Sequence, residues 1–147
     1  MDTLELLKWI GIGGCFGLSA TGASWGMAYN GPAVIGAWKK CYLQNKPAPF
    51  LIIVFAGTPL SNIIYGFILM IVLAGPTSLN AYAILTLGLG SGACIMVIAA
   101  TQAMCAAAAA DAYVETGKGY GLYLMVVGIA ETISIFAVAF TIMMAYR

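Results

Sequence analysis

Gly119–Tyr146 reads GYGLYLMVVGIAETISIFAVAFTIMMAY, an apolar run whose one charge, Glu131, falls near its middle. A helix of about 20 predominantly apolar residues crosses the hydrocarbon core of a bilayer, so this stretch decides the class of protein. It is long enough to span. A carboxylate at such depth costs roughly 2.5–3.5 kcal/mol on insertion scales and must face protein, share a proton or hold a cation. Glu131 is therefore a candidate functional residue before the rest of the chain is considered.

The remaining sequence has the same character. Of its 147 residues 63% are hydrophobic and 7% charged, histidine is absent, and the mean hydropathy is +0.99. Four apolar stretches, Leu6–Trp38, Phe50–Leu73, Ala81–Ala110 and Tyr120–Tyr146, each exceed the length of a membrane span. No strand-like alternation accompanies them, and backbone polar groups in lipid must be satisfied within the segment, which leaves helices. The predicted fold is an all-α membrane protein of four transmembrane helices, with almost nothing left for an extramembrane domain. The amino terminus, Met1-Asp2-Thr3-Leu4-Glu5, is acidic where a secretory signal is basic, so no cleavage is expected.

Four spans place both termini on one side. The first connection carries Lys39, Lys40 and Lys46 and the third carries Lys118, against Lys8 and Arg147 on the opposite side, which turns the first and third loops to the cytoplasm. The halves read as two copies of a hairpin, residues 1–75 and 76–147. Ala20-Thr21-Gly22-Ala23 matches Ala100-Thr101-Gln102-Ala103, and Ser61-Asn62 stands where the second copy has Glu131-Thr132. On that pairing the first hairpin has no membrane carboxylate. The first and third helices hold the small residues, with pairs such as Gly13/Gly17 and Gly22/Gly26, then Gly88, Gly90 and Gly92 and the run Ala106–Ala110. Small residues let backbones approach closely in lipid, so these two helices should be the tightly packed ones and the bulkier second and fourth an outer layer. A compact monomeric bundle and a concentric ring of many copies both fit this distribution.

Polar side chains in the other spans lie at the depth of Glu131. Counted from the ends of their helices, Ser61, Gln102 and Glu131 each sit about 11 to 13 residues in, roughly 17–20 Å at 1.5 Å per residue. Thr58, Ser61, Asn62 and Tyr65 follow i, i+3, i+4, i+7 spacing and share one helix face, which in a membrane must point into protein. Pro59 removes a helix donor and crowds the carbonyl of Phe55, freeing backbone oxygen in that turn. Glu131, the Ser61 hydroxyl, the Gln102 and Asn62 carbonyls and a backbone carbonyl are all oxygen donors, suited to a hard cation such as Na⁺. Taken singly, each of these amides and hydroxyls reads as helix-to-helix glue. Their shared depth with the one deep carboxylate favours an ion site.

Other chemistries find no residues. Gly117-Lys118 is followed by Gly119 and preceded at the critical position by Ala112, so it is no phosphate loop, and no nucleotide is expected. Without histidine there is no H-E-x-x-H and no nucleophile triad. Cys15, Cys41, Cys94 and Cys105 lack metal-ligand spacing and read as small apolar residues. A net charge of +1 without aromatic-basic interleaving excludes a nucleic-acid surface.

Pro59-Leu60-Ser61-Asn62-Ile63-Ile64-Tyr65-Gly66-Phe67, Gln102 and Glu131-Thr132 resemble the proteolipid, or K, subunit of V-type and A-type ATPases, the duplicated counterpart of the rotor c subunit. The resemblance covers essentially the whole chain. It implies a closed rotor ring of about ten copies in a prokaryotic cell membrane, turned by central-stalk subunits against a membrane stator whose arginine meets each carboxylate. By the same resemblance Glu131 carries the ion, Ser61, Asn62 and Gln102 match side-chain ligands of the sodium-binding members, Thr58 matches the residue that offers a backbone carbonyl, and Tyr65 matches the tyrosine that bonds the carboxylate. Ser61 stands where those members have threonine and Asn62 where they have glutamine, one methylene longer. Na⁺ and H⁺ both stay open as the cargo. A small four-helix proton-coupled exporter would also place one glutamate among its helices, but with an open, aromatic-lined pocket beside it. A tetraspan scaffold would need no polar stripe at that depth.

Overall fold

The computed structural model describes residues 2–147, and among them every regular element is helical. Helix α1 spans Thr3–Leu43. A 3₁₀ turn at Phe50–Ile52 leads into the short α2, Ile53–Gly57, followed by α3, Leu60–Ala74; α4 spans Ala81–Thr116 and α5 spans Tyr120–Ala145. Helix α1 runs past both ends of its apolar stretch and α4 past its C-terminal end, because the polar turns at 39–43 and 111–116 continue them. The expected second helix is instead broken at Thr58-Pro59, where proline has no N–H to give.

Three helical stretches, Phe50–Ala74, Ala81–Thr116 and Tyr120–Ala145, are long and apolar enough to cross a membrane. Of the four spans expected, the one on α1 is long enough at 41 residues but less apolar, since glycine, hydroxyl and lysine residues dilute it. Its polar groups are nevertheless turned inward on the helix. Ser19 Oγ donates to the Cys15 carbonyl at 2.6 Å and Thr21 Oγ1 to the Gly17 carbonyl at 2.8 Å.

Helices α1 and α4 lie side by side and parallel. A Cβ on Gly11 would come within 2.5 Å of the Ile84 carbonyl, one on Gly92 within 2.8 Å of Cys15 Cα, and one on Gly26 within 2.9 Å of the Ala99 carbonyl; Gly22 rides directly on the Met96 backbone. Glycine permits that approach. At the loop end Lys40 lies 3.6 Å from Asp111 and pairs more closely with Glu115. Gly13, Gly17 and Gly90 have nothing within 4 Å of an added Cβ and face outward. The small-residue pairs of α1 thus divide into one set inside the protomer, Gly22/Gly26, and one on its surface, Gly13/Gly17.

Local chemistry sets the helix ends. Asn80 caps α4, its Oδ1 accepting from the Ala83 N–H at 2.9 Å. Gly117 closes α4 in the left-handed region, φ 66°, which a side chain would resist. Trp38 Nε1 donates to the Pro49 carbonyl at 2.9 Å and straps down the first loop. Two apolar clusters fill the ends of the bundle, one around Phe55 and Val127, the other around Leu69 and Ile95. Between them lies a layer of buried polar side chains, Ser19, Asn62, Gln102 and Ser134. Leu60, Ile64 and Phe67 on α3 and Ile129, Ile133 and Phe136 on α5 are exposed, as lipid-facing side chains would be.

Candidate ion-binding site

Glu131 sits on α5, part-buried, with α3 and α4 each bringing a donor to it. Tyr65 on α3 donates its phenol O–H to Glu131 Oε1 at 3.0 Å, and Gln102 on α4 donates Nε2–H to Oε2 at 3.4 Å. An ionised carboxylate is an acceptor only, so both contacts suit its charged form. Gln102 Nε2 also lies 3.4 Å from the Val127 carbonyl one turn before Glu131.

Behind Gln102 the network continues. Asn62 Nδ2 donates to Gln102 Oε1 at 2.7 Å, and Ser134 Oγ donates to Asn62 Oδ1 at 2.6 Å. Gln102, Asn62 and Ser134 are fully buried, and a buried amide without partners would cost more than the helix contact returns. Here each amide oxygen is satisfied. Helices α3 and α5 run in the same direction, so the turn carrying Asn62 meets the turn carrying Ser134.

Thr58 and Ser61 approach from the broken turn. Ser61 Oγ donates to the Thr58 carbonyl at 3.1 Å, and Thr58 Oγ1 to the Phe55 carbonyl at 2.9 Å. Both residues line an open cleft of about 520 Å³ that Glu131 also lines, with Val127 and Gly128 across from them. Glu131, Ser61, Thr58 and Val127 are the lining residues with oxygen to offer beyond the apolar Val54 and Leu124 side chains. Its walls carry no aromatic side chain.

Every residue expected at the site is therefore in its neighbourhood, in two tiers. Tyr65 and Gln102 each bond Glu131, and Thr58 and Ser61 share the cleft with Glu131. Asn62, expected as a ligand, makes no bond to Glu131 and reaches Gln102 and Ser134. Its short side chain ends one residue short of the carboxylate. The carbonyl freed by Pro59 is also not spare: Asn30 on α1, fully buried, donates Nδ2–H to Phe55 at 2.7 Å and to Ala56 at 3.2 Å.

Ser134 and Asn30 are the two residues that sequence reasoning passed over. Ser134 carried a signal, since it follows Glu131 by three residues and so lies on the same helix face. Asn30 carried none short of knowing which turn of α1 meets the break. No protein-family model matches the chain, and no curated protein matches it.

Proposed function

We propose that the chain is the ion-translocating proteolipid subunit of a V/A-type rotary ATPase, carrying Na⁺, or alternatively H⁺, on Glu131. The observation that carries this reading is the constellation itself: one carboxylate at mid-span, held by Tyr65 and Gln102 and opening on a cleft that Thr58, Ser61 and Val127 also line. Helix α1 is taken as the fourth span. About ten copies closing into a ring would set α1 and α4 inside and expose α3 and α5, whose bulky side chains face outward.

The physics of rotation fits a neutralised carboxylate. An ionised Glu131 swept past lipid would bear a large desolvation cost, and a bound cation or proton removes it. Loading permits turning. Moving one charge against 100 mV costs about 2.3 kcal/mol, and this chain holds no nucleotide-binding sequence, so central-stalk subunits would supply the work and a stator arginine would unload the site. The proton-coupled exporter is the weaker reading, because the cleft beside Glu131 has no aromatic walls.

The test is carbodiimide labelling, which consumes the protonated carboxyl. Millimolar Na⁺ at neutral pH is expected to slow labelling of Glu131, with less protection in acid, and Glu131→Gln is expected to abolish both labelling and transport. Ready labelling that Na⁺ does not slow assigns the site to protons, and full transport by Glu131→Gln removes the rotor reading altogether. Orientation has its own probe. Cys41 is buried and a poor reporter, so Lys118→Cys is the choice, and labelling of that thiol from outside intact cells would reverse the assignment of the first and third loops to the cytoplasm.

A further inference from the structure

Ser134 departs from what the other hydroxyls of this chain do. Ser19, Thr21, Ser91, Thr116 and Thr141 each turn back onto the carbonyl four residues earlier. Ser134 instead donates across to Asn62 Oδ1 at 2.6 Å. From there the hydrogen bonds run one way, Asn62 Nδ2 to Gln102 Oε1 at 2.7 Å and Gln102 Nε2 to Glu131 Oε2 at 3.4 Å. All the donors point at the carboxylate. That polarity suits an ionised, empty Glu131 and is the wrong one for a cation, to which Gln102 must present oxygen.

An amide has nearly the same shape either way round and a hydroxyl both donates and accepts, so the chain can run backwards without repacking. In the reversed state Gln102 donates to Asn62 Oδ1 and Asn62 to Ser134 Oγ. Ser134 then gives its proton to the Ala130 carbonyl, the bond its fellow hydroxyls already make. Gln102 Oε1 would occupy the place of Nε2, which lies 3.4 Å from both Glu131 Oε2 and the Val127 carbonyl. Oxygens so spaced repel unless a cation lies among them. An octahedral shell with metal–oxygen distances of 2.3–2.6 Å has neighbouring oxygens about 3.3–3.7 Å apart, and the two 3.4 Å spacings from the glutamine fall in that range. A proton would join only two of the three.

We propose that Ser134, Asn62 and Gln102 form a reversible hydrogen-bond relay that inverts when a monovalent cation loads at Glu131, with Ser134 the positioning residue that keeps both polarities satisfied and Val127 a carbonyl ligand. This rests on the ion-carrying reading of Glu131. It also explains why a residue as short as asparagine works at position 62: it turns the glutamine without touching the ion.

The experiment is an infrared difference spectrum, Na⁺ minus choline, of the full chain in lipid with isotope-labelled Asn and Gln side chains, run beside carbodiimide protection. Na⁺ is expected to shift a side-chain amide carbonyl band that Asn62→Leu removes. Ser134→Ala leaves a bare Asn62 oxygen in the empty state and a bare Asn62 N–H in the loaded one, and because the orphaned N–H is the costlier, the variant should raise the Na⁺ needed for half-protection severalfold, while Ser134→Thr stays within about twofold. Thermal unfolding of Ser134→Ala in detergent shows whether the fold is intact, and the wild-type spectrum decides the matter even where that variant fails. Protection by Na⁺ without movement of the amide bands, or an unchanged half-protection in a folded Ser134→Ala, overturns the relay and leaves the ion site standing. A wild-type Glu131 that labels readily and gains no protection overturns the sodium site and the relay together.

Discussion

The returning helix of the first hairpin breaks at Thr58-Pro59, whereas α5 of the second runs unbroken from Tyr120 to Ala145. If Ser61 pairs with Glu131 as the duplicated sequence suggests, Pro59 corresponds to Ile129 and Asn30 to Ala110. The first hairpin has a break and a side chain that fills it, and the second has neither. Asn30 donates to the Phe55 carbonyl left by the missing proline donor and to Ala56 beside it, so the bend is closed from α1 and not from solvent. The second hairpin spends its polarity on Glu131, Gln102 and Ser134. The contrast teaches a division of labour: the first supplies a shaped wall and the donors Tyr65 and Asn62, and the second supplies the charge.

The largest break in this comparison should come from glycine. Gly22 rides on the Met96 backbone, so Gly22→Leu forces α1 off α4, and overpacking of that kind costs roughly 1–3 kcal/mol or more. Gly17 has open space at its Cβ, and Gly17→Leu should leave the protomer folded while disturbing any copy packed on that face. Thermal unfolding in detergent with native mass spectrometry separates the two. Equal loss of folded protomer in both variants would count against the packing of the two hairpins described here.

Much of this was legible from the chain. The apolar runs gave helices, and the shared depth of Ser61, Gln102 and Glu131 anticipated that α3, α4 and α5 meet at one level. Three things were not. Proline announces a weak turn but not its repair, because Asn30 acts across 25 residues of sequence on a helix whose register against α2 no local pattern encodes. The direction in which Asn62 turns depends on Ser134, 72 residues away, and a short amide gives no sign of which neighbour it will choose. The apolarity of α1 was overestimated because its glycines lengthen the run without adding much hydropathy.

A smaller effect would sharpen the account of the break. Asn30→Ala takes the amide donor from Ala56 and leaves Phe55 only the Thr58 hydroxyl, and should cost about 0.5–1.5 kcal/mol of stability, the scale of one ordinary hydrogen bond. Pro59→Ala restores an N–H that can reach Phe55. In that background the cost of Asn30→Ala should fall by about 1 kcal/mol, a coupling that a double-mutant cycle on thermal or denaturant unfolding measures. Strict additivity would mean that Asn30 is not there to serve the break.

The smallest expected effect tests whether the first hairpin acts on the charge of the second. Tyr65 donates to Glu131 Oε1, the oxygen that does not face Gln102, so its bond survives whichever way the amides behind Gln102 are turned. Tyr65→Phe keeps the ring and removes only that donor. The donor favours the ionised carboxylate and the carbodiimide attacks the protonated one, so labelling without Na⁺ should speed up about threefold to tenfold, the scale of one ordinary hydrogen bond. The Na⁺ concentration for half-protection should move less than in Ser134→Ala, because a cation and an empty carboxylate both keep the phenol bond. A labelling rate unchanged by Tyr65→Phe would show that the phenol rests beside Glu131 without stabilising its charge, and the donor role of the first hairpin would then rest on Asn62 alone.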